Sequence, residues 1–316
     1  MSLLAFLSDN LMFHSSELKK FISTAPHRYK HYPIPKRSGN GFRIISQPSK
    51  ELKFIQKILV EHLEEVVIIH HKALAYRKGL SIKDNALLHK ANPYLLKMDF
   101  KDFFPSIVPE LFFDALLKQD IHFSKQDYAL LQKVFFMKKT RKSPFILSIG
   151  APSSPLISNA VMFEFDKQID ELCQKRNITY SRYADDLVFS SKIDGALFDL
   201  PKLVEGVLDK DYFGLIRINK DKTVFSSKAH NRHITGVTIT NDNKLSIGRD
   251  KKRLLSSKVH RYSLNQLEAE LAAKLSGEIS FAIFIEPSFK AFLIRKYGRD
   301  VVESLLRFNF ENTPEL

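Results

Sequence analysis

The sequence predicts an α+β chain in three parts: a basic N-terminal lobe, a mixed centre carrying two acidic loops, and a basic helical tail. Three observations carry that reading. Leu52, Ile55, Ile58, Leu59, Leu63 and Val66 recur through residues 51–70 at the spacing of an amphipathic helix. Residues 179–191 alternate apolar and polar side chains on both sides of Asp185-Asp186, the pattern of a hairpin with carboxylates at its tip. From Arg249 the composition turns basic: Arg249, Lys251, Lys252, Arg253, Lys258 and Arg261 share their stretch with Asp250 alone, and a helical lobe follows.

The other elements fall in order between these. Residues 32–48 read as two extended arms around Ser38-Gly39-Asn40-Gly41, a strong hairpin turn signal. Residues 94–99 form a short apolar strand that runs into an acidic, aromatic loop. Residues 126–136 read as a helix, and 155–176 as one long helix behind a Pro- and Ser-rich entry. No internal repeat, low-complexity tract or Gly/Ser-rich linker divides the 316 residues, a length that suits two or three lobes.

Composition narrows the function. Hydrophobic residues make up 44% of the chain, enough for a sizeable core. Lys and Arg number 49 against 35 Asp and Glu, a formal charge of +14, so a polyanion is the natural partner. The apolar runs at 66–69 and 281–285 fall far short of the roughly 20 residues that span a bilayer and read as core segments, so no membrane partner is expected. The first 13 residues lack a basic lead and carry Asp9, which argues against a signal peptide. The lone Cys173 excludes an internal disulfide and a cysteine zinc cluster, fits a reducing cytoplasm, and reads as a packed helix residue.

Chemistry concentrates in two acidic loops. Adjacent carboxylates in Tyr183-Ala184-Asp185-Asp186 repel each other unless a cation or basic side chains lie between them. Asp99, in Met98-Asp99-Phe100-Lys101-Asp102, stands where an apolar strand ends and can face the hairpin tip. Three carboxylates from neighbouring strands suit a pair of Mg²⁺ ions, which prefer a few carboxylates plus phosphate oxygens to a closed protein cage. Two such ions about 3.5–4 Å apart can activate an attacking hydroxyl and stabilise a leaving group. Asp102 reads as solvent-facing or paired with a nearby lysine.

These segments together resemble the reverse transcriptases, over roughly residues 30–250. Tyr183-Ala184-Asp185-Asp186 resembles the family's YxDD box and Asp99 its first metal aspartate, with the carbonyl of Phe100 as a further metal ligand. Phe104 falls where the family keeps an aromatic gate against the ribose 2′-OH, which implies dNTP substrates. Gly150-Ala151-Pro152-Ser153-Ser154-Pro155 resembles the template- and nucleotide-positioning loop, but Ser148-Ile149 replace the usual Pro-Gln before Gly150. Lys36 and Arg43, on opposite arms of the Gly-rich turn, match the pair that clamps the triphosphate. Lys222, in Asn219-Lys220-Asp221-Lys222-Thr223, matches a lysine that positions the triphosphate or protonates pyrophosphate; a solvated surface lysine is the other reading.

Asn85-Ala86-Leu87-Leu88-His89 and Ile234-Thr235-Gly236 resemble the NAxxH and VTG signatures of the retron branch. The resemblance implies a right-hand polymerase with fingers at 1–93, a palm at 94–248 and a thumb at 249–316, helices in 106–150 being shared between fingers and palm. It implies a cognate structured non-coding RNA (msr-msd) that serves as template and primer, a branched msDNA product begun on a guanosine 2′-OH, and a companion effector in anti-phage defence. Asn85, His89, Thr235 and the basic residues Arg249, Lys251, Lys252, Arg253, Lys258 and Arg261 are the expected RNA contacts. Two further readings stay open: another branch of bacterial reverse transcriptases (abortive-infection, CRISPR-associated or group II intron-like), or an inactive RNA-binding scaffold.

Overall fold

Serine caps set several helix starts. The computed structural model describes residues 2–36 and 41–308. Ser49 Oγ accepts from Leu52 N at 3.3 Å at the head of helix Lys50–Glu64, and Ser124 Oγ accepts from Asp127 N at 3.1 Å at the head of Lys125–Phe135. Ser81 and Asp84 form a reciprocal capping box on Ile82–His89. The first amphipathic helix stops at Glu64 rather than near residue 70. Val67 is buried, but Val66 and Ile68 are exposed, so the 66–69 run is a core segment only in part. The expected long helix at 155–176 is two helices, Ser154–Val161 and Phe163–Lys175, joined at Met162.

The chain divides into two compact units. One comprises Met1–Leu80 and Leu96–Val224, the other Ser81–Leu95 and Phe225–Leu316. The NAxxH helix therefore belongs with the C-terminal part of the chain, not with the N-terminal lobe that precedes it in sequence.

In the first unit a sheet carries its strands in the order Thr179–Tyr183, Asp186–Ser191, Tyr94–Lys101, Arg217–Ile218. Helix Phe163–Lys175 packs on the Thr179–Tyr183 strand through a face that buries Phe165, Ile169 and Cys173. Burial pushes the Cys173 thiol up to about 12, as expected of a packed helix residue. Phe100 stacks on Phe103 at 5.0 Å and meets Phe165 edge-on at 5.7 Å, so the underside of the Asp99 strand is an aromatic layer. Helix Leu3–Leu11 buries Leu3 and Leu7, and Leu3 N donates to Asp127 Oδ1 at 2.8 Å.

The expected hairpin at 32–48 is an antiparallel ribbon of Tyr29–Pro35 with Phe42–Pro48, Ile34 opposite Arg43 and Pro35 opposite Phe42. Its turn residues Ser38, Gly39 and Asn40 lie outside the described residues. Ser46 N donates to Ile149 O at 2.8 Å, which ties the ribbon to the Gly150 loop. Gly150 has φ +120°, and a Cβ there would lie 3.0 Å from Ile45 Cγ2 and 3.3 Å from Ser46 O. Glycine is thus required twice over, by backbone conformation and by close approach.

In the second unit, helix Ile82–His89 packs on a sheet of Arg232–Ile234, Val237–Ile239 and Leu245–Ser246. Thr235 and Gly236 form the two-residue turn between the first two strands, with φ of 45° and 92°. Positive φ at both central residues gives the twist that joins antiparallel strands tightly. Helices Arg249–Ser263, Ala269–Ile285, Ser288–Tyr297 and Arg299–Leu306 form the expected helical tail around Leu255, Val259, Leu275, Ile279, Leu293 and Leu305. Ile285 is buried there but Phe281 and Phe284 are exposed, so this run too is core only in part.

The two glycines give a ranked prediction for urea unfolding. Gly236→Ala meets nothing within 4 Å and carries strain alone, a cost of about 1 kcal/mol. Gly150→Ala adds the contacts with Ile45 and Ser46 and should cost roughly 2–3 kcal/mol.

Candidate active site

The acidic hairpin is closed by a two-residue turn, Ala184-Asp185, with Tyr183 paired to Asp186. Ala184 adopts φ +59°, a left-handed conformation uncommon for a residue with a Cβ. Asp185 therefore sits in the turn and Asp186 begins the outgoing strand. The next strand is Tyr94–Lys101, and Phe100 N donates to Asp185 O at 3.0 Å. That bond brings Asp99, 8% exposed, beside the hairpin tip, while Asn219 N donates to Asp99 O at 2.7 Å from the other side.

The three carboxylates act on one another's titration. Burial raises the Asp186 carboxyl to about 6, helped by the charges of Asp185 and Asp99. Burial and Asp99 raise Asp185 also, against the lowering effect of Arg43 and Lys222. Burial lowers the Lys97 ammonium, and the charge of nearby Asp186 works against that shift. Lys222, at the end of the turn Lys220–Lys222, places Nζ 3.0 Å from both Asp99 oxygens. It is more than half exposed, so it stays solvated while it pairs with Asp99.

The donor set fits a hard divalent cation. It offers carboxylate oxygens on a partly buried surface, and cationic side chains meet part of their charge. Among the described residues, the group of three His, Cys, Asp or Glu ligand atoms gathered within 4.8 Å of one another is a different one, His70, His71 and Asp170. Asp99, Asp185 and Asp186 are therefore a more open arrangement, which would need other oxygens to complete a Mg²⁺ shell. At the second group Asp170 is already engaged by His71 at 3.3 Å, Lys72 at 3.6 Å and Gln174 at 2.9 Å.

The nucleotide-side expectations meet mixed outcomes. Lys36 N pairs with Gly41 O, and register then puts Lys36 and Arg43 on one face of the ribbon, both exposed. Ile45 shares that face and meets Gly150, so it is the face turned toward the Gly150 loop. Phe104 is half-buried at the start of the short helix Phe103–Ser106, with the neighbouring Phe103 taking the core position. Asp102 is exposed, as expected. Tyr76 escaped the sequence reading. Its ring lies 6.4 Å from that of Phe104, its φ is +63°, and its hydroxyl feels the charge of Asp185.

The expected RNA contacts differ in exposure. Asn85 and His89 are fully buried and so offer no surface to a ligand. Asn85 Nδ2 instead donates to Thr235 Oγ1 at 3.4 Å, so the two signatures meet inside the second unit and brace its small sheet. Lys252 is paired with Glu286 and Lys258 with Glu278, so neither is a free cation. Arg249, Lys251 and Arg253 are exposed and line an open groove with His230, His260 and Lys296. Arg261 is exposed but lies off that groove. His230 and Lys296 come from distant segments, and no sequence signal marked them.

Three carboxylates on a hairpin and its neighbouring strand, in an α+β fold, are compatible with a nucleotidyl-transferring polymerase site. The reverse transcriptase (RNA-dependent DNA polymerase) family matches residues 34–239. The chain is 44% identical over 283 residues to the Retron Ec83 reverse transcriptase of Escherichia coli, covering 89% of this chain and 90% of that protein. It is 33% identical to the Retron Ec73 reverse transcriptase of E. coli, covering 89% and 90%. It is 30% identical to the Retron Mx162 reverse transcriptase of Myxococcus xanthus, covering 84% and 59%. Among solved structures, telomerase from Candida albicans in complex with a telomeric RNA fragment aligns with a TM-score of 0.52 at 12% identity, over 92% of this chain and 59% of that one, a likeness of fold alone. The chain belongs to the reverse transcriptases, within them to the retron reverse transcriptases, and is an RNA-directed DNA polymerase.

The Asp186 shift sets a pH dependence for the metal-free protein. Between about pH 4 and 6 the folded state keeps a proton that the unfolded state has released, so stability falls as pH rises through that window. The cost is fully present above about pH 6. Asp186→Asn should therefore raise the melting temperature of the metal-free protein at pH 7.5 but leave it nearly unchanged at pH 4. Added Mg²⁺ should raise the wild-type melting temperature at pH 7.5, less so below pH 6, and should leave Asp185→Asn/Asp186→Asn unmoved. Scanning calorimetry with and without chelator measures each difference.

Proposed function

We propose that this polymerase is a retron enzyme that copies its own structured non-coding RNA (msr-msd) into DNA, starting from the 2′-OH of a guanosine in that RNA. The observation that carries the proposal is the close sequence relation to retron reverse transcriptases, joined to a second unit in which Asn85 and the Thr235-Gly236 turn meet. In each addition cycle a primer hydroxyl attacks the α-phosphate of a dNTP, one phosphodiester bond forms, and pyrophosphate leaves.

The residues take the following roles. Asp99 and Asp186, with Asp185 bracing the primer side and the Phe100 carbonyl assisting, would hold two Mg²⁺ ions. Those ions would lower the charge barrier to attack and offset the charge of the leaving group. Lys222 guards Asp99 before loading. A cation entering the site would compete with it for Asp99, and the freed ammonium could then meet a phosphate. Arg43 and Lys36 share the ribbon face toward Gly150, and their charges would grip the phosphates, Arg through two bonds and Lys as a point charge. Phe104 would close the sugar pocket against a 2′-OH, and so favour dNTPs. At the usual Pro-Gln position, the Ile149 carbonyl holds the ribbon instead.

The exposed cations Arg249, Lys251 and Arg253 line the groove in which structured RNA would be gripped by shape and phosphate contacts. Asn85 and His89 would support RNA binding indirectly, by fixing the turn that presents Thr235. No helix among the described residues is long and apolar enough to cross a membrane. A role in phage defence with a companion effector follows from the retron assignment.

The test is to co-express the protein with the non-coding RNA beside its gene, supply dNTPs and Mg²⁺, and treat the product with debranching enzyme. DNA that shortens on debranching, and is absent with Asp185→Asn/Asp186→Asn, is the expected result. DNA that ignores debranching would keep the polymerase and remove the retron priming.

A further inference from the structure

The Arg182 guanidinium is completely buried and joins three pieces of the first unit. Its Nε and Nη2 donate to Asp166 Oδ1 and Oδ2 at 2.8 and 2.6 Å, a two-pronged bond to helix Phe163–Lys175. Its Nη1 donates to the carbonyl of Ala184 at 3.1 Å, inside the acidic turn. Tyr180 Oη donates to Asp166 Oδ1 at 2.7 Å and fixes the carboxylate from the other side. Through its backbone, Arg182 N donates to Lys72 O and its own carbonyl accepts from Leu74 N, both at 2.8 Å. Two residues beyond Leu74 is Tyr76, whose ring approaches Phe104.

For stability alone this arrangement is a poor choice. A buried ion pair contributes little over well-packed apolar side chains of the same volume, because both charges lose their water. What an apolar pair could not do is hold the peptide between Ala184 and Asp185. Its Ala184 carbonyl is fixed by Arg182, and the next carbonyl, that of Asp185, is fixed by Phe100 N at 3.0 Å. Asp185, which follows the left-handed Ala184 (φ +59°), thus has a fixed carbonyl on either side of it.

We propose that Arg182 is a positioning residue of this polymerase: through Asp166 and the Ala184 carbonyl it sets where Asp185 and Asp186 stand relative to Asp99. The inference rests on the reading of those carboxylates as the metal-holding group. It implies that losing Arg182 weakens the use of Mg²⁺ rather than the binding of nucleotide.

Steady-state primer extension on poly(rA)·oligo(dT) with dTTP, at varied Mg²⁺, tests it with Arg182→Gln, Arg182→Lys, Asp186→Asn and Arg176→Ala. Activities are scaled to the folded fraction seen by circular dichroism. Arg182→Gln should lose roughly 100-fold in kcat, the scale of an ångström-size misplacement, and need several-fold more Mg²⁺ for half-activity, with the KM for dTTP changed by less than about threefold. Arg182→Lys keeps the charge without the fork and should fall between; it carries the comparison if the glutamine variant does not fold. Arg176→Ala, which opens an Arg–Asp199 pair at the surface, should match wild type. Wild-type Mg²⁺ dependence and kcat in the folded Arg182 variants would overturn the proposal. Full activity of Asp186→Asn would instead overturn the metal-site reading beneath it.

Discussion

Carboxylates gathered at one corner of a partly dry sheet must be compensated, and that constraint orders much of the first unit. Asp99, Asp185 and Asp186 share one corner of a sheet, and mutual repulsion added to burial lifts Asp186 to about 6. The chain answers with cations at graded distance. Lys222 binds Asp99 directly, while Arg43 and Lys97 act on Asp185 and Asp186 without a direct bond. None of these neutralises the site fully. A carboxyl raised to about 6 is mostly ionised at pH 7, and under the proposed function a divalent cation would relieve the repulsion that remains.

The cost of such a site is met away from the chemistry. Behind the hairpin, Arg182 and Asp166 form a closed, fully paired ion pair, and beneath the Asp99 strand lies the aromatic layer of Phe100, Phe103 and Phe165. Rigid backing beneath an unsatisfied surface is the usual division between stability and function. The second unit shows a related economy. Its two signature motifs serve internal architecture, a capped helix packed against a tight turn, while the cations Arg249, Lys251 and Arg253 on the adjoining helix are exposed.

The sequence revealed what is local and what repeats. The acidic hairpin was legible because alternation over residues 179–191 has a period of two and the acids interrupt it at the turn. The Asp99 strand was legible because an apolar run ends there in a carboxylate. Helix ends were less so: Val66 and Ile68 extend the apolar pattern beyond Glu64 although they face solvent. The contacts of Asn85, His89, Lys252 and Lys258 could not be read, since a buried polar residue and an exposed one look alike until their partners, Thr235, Glu286 and Glu278, are brought near. Tyr76 and Arg182 were missed for the same reason. Their importance comes from neighbours far away in sequence, Phe104 and Asp166.

The central claim, that Asp99, Asp185 and Asp186 form the metal centre with Lys222 as its stand-in cation, is most directly tested by anomalous diffraction from crystals soaked in Mn²⁺ and dTTP. The account predicts manganese peaks at these three carboxylates, with Lys222 withdrawn from Asp99. Manganese found only at His70, His71 and Asp170, with Lys222 still bound to Asp99, would contradict it.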